Sequence, residues 1–293
     1  RMSDDERDRD AAVKADAGEA DAADRRRLGA VVLAVLISQV LLYPGVPDLV
    51  VVLGAPAGID AGMWFLVAEF GAFVTFAVVW GAFSDALGKR TPLIVAGAFG
   101  GAASYVALAS LPGSGLGFEA ALIVRAVGGA LTIGAFSLSI TLLMDLGGGN
   151  GRNMGVAGLA IGLGAAVGSV VGGSLADLDA LYPVYAGAVV LAAAGLLAAT
   201  VDDRAPTTSA PSATGTASTD EVGFRDVFAR ARTTPGLFVP LAFGFVDRLT
   251  AGFFALVGVY YFQDPATFGL SATGAGATLA LFFIPFALLQ SPF

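Results

Sequence analysis

The 293-residue chain contains no histidine and no cysteine. Without histidine it cannot build a HExxH zinc site, a Ser-His triad or a haem ligand of the usual kind. Without cysteine it has no disulfide, iron–sulfur cluster or thiol nucleophile, and redox compartment cannot be read from it. Lysine occurs only at Lys14 and Lys89, neither inside an apolar run, which excludes a retinal Schiff base within a bilayer. The stretch Gly88 to Thr91 has part of the phosphate-loop pattern. Arg90 stands where Ser or Thr must follow the lysine, and Phe83 where the first glycine is needed, so no ATP-driven motor is visible. There is also no GxGD pair for intramembrane aspartyl chemistry. No enzyme activity, metal or cofactor is expected.

Charge is scarce too: 14% of residues are charged and 56% are hydrophobic, with a mean hydropathy of +0.78. Forty glycines and 21 phenylalanines lie in apolar runs of about 20 residues, the pattern of a polytopic helical membrane protein. Net charge is −8, and all bases but two are arginine. An acidic, lysine-poor balance of this haloarchaeal type suits a protein bathed in concentrated salt, although a GC-rich genome also favours it. It argues against a nucleic-acid partner.

Residues 1–27 carry nine acids and seven bases without an apolar run, which reads as a disordered, solvated tail and not as a signal peptide. Eight spans are predicted after it: Leu28 to Leu53, Ala61 to Phe83, Pro92 to Leu111, Phe118 to Asp145, Asn153 to Ala176, Leu181 to Thr200, Gly236 to Phe262 and Leu270 to Gln290. Pro44 and Pro47 predict a kink or unwound stretch in the first. Of the 16 bases, 14 fall in the tail and alternate loops on one side, and the other two, Arg125 and Arg248, lie inside spans. The positive-inside rule then puts the N-terminus in the cytoplasm. Residues 201–235 read as a linker whose second part, with Phe224, Val227, Phe228 and Ala231 on one face, forms a short amphipathic helix on the membrane surface. The plan is a six-helix unit at 28–200, a linker, and the start of a second unit at 236–293.

Three elements carry specific patterns. The loop after the second span reads GxxxDxxG followed by two bases: Gly81 for close helix contact, Asp85 to cap or pair at a helix end, Gly88 for a tight turn, and Lys89 and Arg90 to hold the loop inside. In the fourth span Arg125 precedes Gly128 and Gly129, and Asp145 closes the span. The fifth carries Gly164, Gly168, Gly172 and Gly173, with glycines four apart on one helix face. Taken together these resemble the major facilitator superfamily: its loop signature between helices two and three, its RxxQG element, and its GxxxGPxxGGxL antiporter element. Ala86 stands where the family usually has a base, Gly128 replaces the glutamine and Ser169 the proline. The resemblance implies an all-α bundle of twelve helices in two six-helix halves around a central cavity. On that expectation the chain is a C-terminally truncated transporter with about eight of the twelve. It also implies a cytoplasmic latch made by Gly81, Asp85, Gly88, Lys89, Arg90 and Asp145, and a drug/proton-antiporter-like branch.

Further charges lie inside spans: Glu69, and the adjacent Asp247 and Arg248. Asp247 is about 16 Å along its helix, near the midplane. Glu69 is available to either arginine. Either one of the carboxylates titrates and couples ion movement to access, or the charges form a fixed structural pair. Arg125 either faces a partner inside the bundle or snorkels outward. Gln39 is a candidate substrate contact, and Tyr43, Tyr260 and Tyr261 are candidate interface anchors. The expected function is proton-coupled efflux of a small organic solute by a monomeric, multi-pass cell-membrane protein. The alternatives are a proton- or sodium-coupled nutrient importer of the same fold, and a receptor or scaffold without flux.

Overall fold

The structure, a computed structural model, describes residues 4–203, 236 and 238–290. Helix α1 (Asp4–Val40) leads through a 3-10 turn (Tyr43–Gly45) into α2 (Val46–Val52). The chain continues through α3 (Ile59–Leu87), α4 (Thr91–Ala109), α5 (Phe118–Asp145), α6 (Asn150–Ala176) and α7 (Tyr182–Ala198). Then come α8 (Phe238–Phe253), a π-turn (Phe254–Gly258), α9 (Val259–Gln263) and α10 (Ala272–Gln290). Among the described residues there is no strand. Among the described residues six helical stretches are long and apolar enough to cross a membrane, and Tyr182–Ala198 and Leu249–Gln263 are shorter apolar helices.

Local chemistry sets these boundaries. Proline lacks a backbone donor and clashes with the preceding turn, so Pro44 stops the first span as an α-helix and Pro47 is accepted only in the first turn of α2. This is the interruption predicted from the two prolines. Pro92 and Pro183 occupy the same early position in α4 and α7. Gly88 closes α3 at φ +61°, a left-handed conformation that suits glycine.

Residues 4–27 belong to α1. The backbone is helical from Asp4 onward where a disordered tail was expected, and Asp24 and Arg25 are buried. Two forces explain this. The segment is rich in alanine, the best helix former, and its sequence opens with acids, the charge that suits a helix N-terminus. Arg25 also gains partners: its Nε donates to Asn153 Oδ1 at 2.7 Å and its Nη2 to the Gly147 carbonyl. Arg27 Nη1 reaches the Thr200 carbonyl at 3.0 Å. The helix therefore emerges from the bundle already tied to the α5–α6 turn and to the end of α7. The amphipathic segment around Phe224 to Ala231 lies outside the described residues.

Helix α1 packs on α5, α6 and α7, while α5 joins α3 to α4 and α4 joins α7. The core between them is aliphatic, with Leu28, Val31, Val35, Leu138, Leu142 and Leu191 fully enclosed. Helix α10 attaches through α6. Helix α3 is the least covered span, presenting Val74, Val78, Val79 and Phe83 outward, as a helix in lipid can without penalty.

Candidate functional site

The most unusual chemistry lies inside the first half. Glu69 sits about ten residues into α3, roughly 15 Å along its axis. Arg125 comes seven residues after the start of α5. Their side chains meet with Arg125 Nη2 2.5 Å from Glu69 Oε2, at 2% and 1% exposure. The pair is sealed by aromatic rings: the guanidinium lies 4.9 Å from the centre of Phe65 and 5.3 Å from that of Tyr105, close enough for cation–π attraction. Phe65 precedes Glu69 by one turn on the same face of α3. Tyr105 is fixed in turn by its hydroxyl, which donates to the Ser38 carbonyl on α1 at 2.9 Å. Four helices thus converge on one ion pair.

The glycines after Arg125 explain how it gets there. A methyl group on Gly129 would lie 2.5 Å from the Glu69 carbonyl oxygen, and one on Gly128 would lie 2.5 Å from Ser104 Oγ. Bare backbone at these two positions lets α3 and α4 close on α5. Arg125, one turn before Gly129, is carried onto Glu69 by that approach. Arg125 therefore turns inward onto Glu69 and does not snorkel outward.

Other candidates fall differently. Gln39 is buried at 4% exposure, and among the described residues its amide nitrogen has no hydrogen-bond partner. Tyr43, expected at an interface, is buried, one turn after Gln39. Asp247 and Arg248 fall on α8 by backbone, but their side chains lie outside what is described. An apolar groove between α3 and α5, lined by Phe76, Val79, Trp80, Phe83, Ala130 and Leu131, offers nothing polar to a solute. Its one polar atom, Trp80 Nε1, already donates to the Ala130 carbonyl at 2.6 Å.

The second cluster is the turn between α3 and α4. Arg90 is buried at 6% exposure and forms an ion pair with Asp145 at the end of α5, while Asp85 lies 4.0 Å from its guanidinium. Lys89 is exposed, and its carbonyl accepts from Ser84 Oγ at 3.4 Å. A methyl group on Gly81 would meet nothing within 4 Å among the described residues.

Asp203, just beyond α7, was not singled out by its sequence. Its Oδ1 accepts the Arg90 and Thr91 N–H groups at 3.0 and 3.3 Å, satisfying donors at the start of α4 that have no partner within the helix. The only signal was an acidic pair following the sixth span. Replacing Asp203 with alanine removes this cap and should lower stability by about 0.5–2 kcal/mol, the usual range for a lost N-cap. Chemical unfolding of the purified variant checks this; unchanged stability would contradict the capping role.

The α6 glycines form a seam. Methyl groups on Gly164 and Gly168 would lie 2.8 Å from the Leu33 carbonyl and 2.9 Å from the Ile37 carbonyl, and Gly172 faces the Leu41 backbone. Glycines at four-residue spacing meet residues at four-residue spacing, so α1 and α6 run parallel with backbones in contact. Gly173, turned to the other side, meets the backbone of Ala272 and Thr273 on α10. Helix α6 runs unbroken through Ser169, whose hydroxyl donates to the Ala166 carbonyl at 2.9 Å.

A buried Arg–Glu pair behind a glycine step, a charged turn closed on the end of α5 and a glycine seam are now all placed in one bundle. The sequence model described as Major Facilitator Superfamily matches residues 28–293. The chain belongs to the major facilitator superfamily. It is accordingly a multi-pass membrane protein and a transporter of the secondary type, with a small-molecule substrate and lipid around it. Curated proteins and solved structures gave no significant match.

Proposed function

We propose that this superfamily member exports a small organic solute across the cell membrane in exchange for protons, with its N-terminus in the cytoplasm. The observation that carries the coupling is the sealed Glu69–Arg125 pair. A carboxylate can be neutralised by one proton, and an arginine cannot lose its charge under the same conditions. Protonating Glu69 would thus leave a buried guanidinium without its counter-charge. In a low-dielectric interior that is costly enough to favour a rearrangement in which Arg125 finds another acceptor or water. Neutralisation at one side and release at the other is what couples proton movement to alternating access.

Export is supported by the glycine seam of α6, which resembles the antiporter element, and the inner side by the bases around Lys89 and Arg90. On this reading the Arg90–Asp145 contact, with Asp85 beside it, governs closure of the cytoplasmic mouth, and Asp247 remains a second candidate for the cavity.

The test is a solute panel on proteoliposomes, run with and without an imposed pH gradient. Movement of at least one solute against its own gradient, opposite to the proton gradient and collapsed by a protonophore, is expected. Gradient-driven movement in the same direction as the protons would reverse the reading to import. Fluxes indifferent to the gradient would remove proton coupling.

A further inference from the structure

The face opposite the Lys89–Arg90 turn is where the two halves hold each other. Gln263 Nε2, at the end of α9, donates to the Pro44 carbonyl in the 3-10 turn at 2.7 Å. Tyr260 packs on the outer end of α3, so closely that a methyl group on Gly62 would lie 2.5 Å from its hydroxyl oxygen. Asp177, immediately after α6, reaches across to α10: its Oδ1 accepts the Ala272 N–H at 2.8 Å and its Oδ2 the Thr273 N–H at 3.0 Å. At the other face Asp85 is 73% exposed and the nearby turns of α3 are uncovered.

The Asp177 contact has an unusual division of labour. The first N–H groups of a helix have no partner within it and are normally served by the residue just before. Ser271 fills that position, and its hydroxyl accepts from Gly274 at 3.3 Å as an N-cap does, which leaves the two earlier donors unserved. The Ala272 and Thr273 donors go instead to a carboxylate from the other half of the protein. Both oxygens are engaged at the positive end of the α10 dipole. Burial nudges the Asp177 carboxyl upward, but hydrogen bonds from Thr273, Ser271 and Ala272 outweigh it and hold the group below the usual carboxylate range. Because Asp177 lies at the exposed rim, water can replace either partner when the contact parts, which suits a bond made and broken in every cycle.

We propose that Asp177 is an outer latch: it clasps the N-terminus of α10 to the end of α6, keeps the outer mouth closed, and must release for the protein to open outward. The proposal rests on the alternating-access reading above. Below the latch lies the seam it guards, where Gly276 of α10 faces the Ser169 backbone and Ser169 is wholly buried.

The absence of cysteine makes a direct test available. Ser169→Cys places a single thiol under the seam, and its labelling by a membrane-impermeant maleimide is followed on the full chain in right-side-out vesicles. The single variant should label slowly. Adding Asp177→Ala should raise the rate at least tenfold, and adding Asp177→Asn, which keeps the size but not the charge, should raise it by a smaller factor. Asp179→Ala is the control, because Asp179 Oδ1 only accepts the local Leu181 N–H at 2.8 Å; the rate should not change. A variant counts only if it retains its elution profile and helical content, and Asp177→Asn carries the test if the alanine variant does not fold. Equal rates with and without Asp177, or equal acceleration by Asp179→Ala, would overturn the latch. The readout uses neither substrate nor proton gradient, so it fails separately from proton coupling.

Discussion

Arg125→Leu should cost the folded protein about 3–5 kcal/mol, the range for removing one partner of a buried ion pair. The variant keeps Glu69 at 1% exposure with its counter-charge gone, in a pocket closed by Phe65 and Tyr105. Glu69→Leu should cost a similar amount by stranding the guanidinium. The double variant Glu69→Leu/Arg125→Leu should be more stable than either single one, because two apolar side chains fill the space without any uncompensated charge. That non-additivity separates an ion pair from two unrelated core residues. Unfolding of the four proteins in one detergent measures it, and costs that simply add would contradict the pairing. None of the three variants should retain proton-driven flux, including the stable double.

An effect of comparable size is expected at Gly172. Its Cα faces the Leu41 backbone so closely that any side chain would press on a carbonyl that cannot swing aside. Gly172→Val should force α1 and α6 apart over the whole seam formed with Gly164 and Gly168. Overpacking typically costs about 1–3 kcal/mol and occasionally more. A clash against backbone on two parallel spans belongs at the upper end, and little folded protein should be recovered. Gly71→Ala is the internal comparison: it is mid-helix, with nothing within 4 Å of the added methyl. It should be neutral or stabilising by up to about 1 kcal/mol from helix propensity alone. Size-exclusion recovery and thermal unfolding of the two variants decide the matter. Normal recovery of Gly172→Val would contradict the close packing.

These two cases show what a one-dimensional reading can and cannot reach. The spans, their interruption at Pro44 and the glycine face of α6 were legible because hydrophobic runs, proline and four-residue spacing are local properties. Glu69 and Arg125 stood out as charges in apolar runs. That Arg125 meets Glu69 depended on helix orientation, set by Gly128 and Gly129 meeting Ser104 and Glu69. Gly81 and Gly172 look equally motif-like as letters, yet among the described residues an added methyl group would meet nothing within 4 Å at the first and a backbone at the second. Asp203, Asp177 and Arg25 escaped notice for a common reason. Asp203 and Asp177 accept from backbone N–H groups of distant helices, and Arg25 donates to Asn153 Oδ1 and to the Gly147 carbonyl. Such contacts leave no spacing in the sequence. The N-terminal stretch combines a high charge density with a high alanine content, and the Arg25 contacts to Asn153 and Gly147 tie its end to the fold.

Proton coupling through Glu69 is the central claim, and solute-driven proton flux tests it most directly. A solute that the parent protein moves against its gradient is applied to proteoliposomes containing a trapped pH indicator, with Glu69→Gln reconstituted in parallel. Glutamine keeps the shape of the side chain and can still accept from Arg125, but it cannot exchange a proton. The parent should shift internal pH when the solute is added, and Glu69→Gln should bind the solute without any shift. A pH response of parental size from Glu69→Gln would contradict the account.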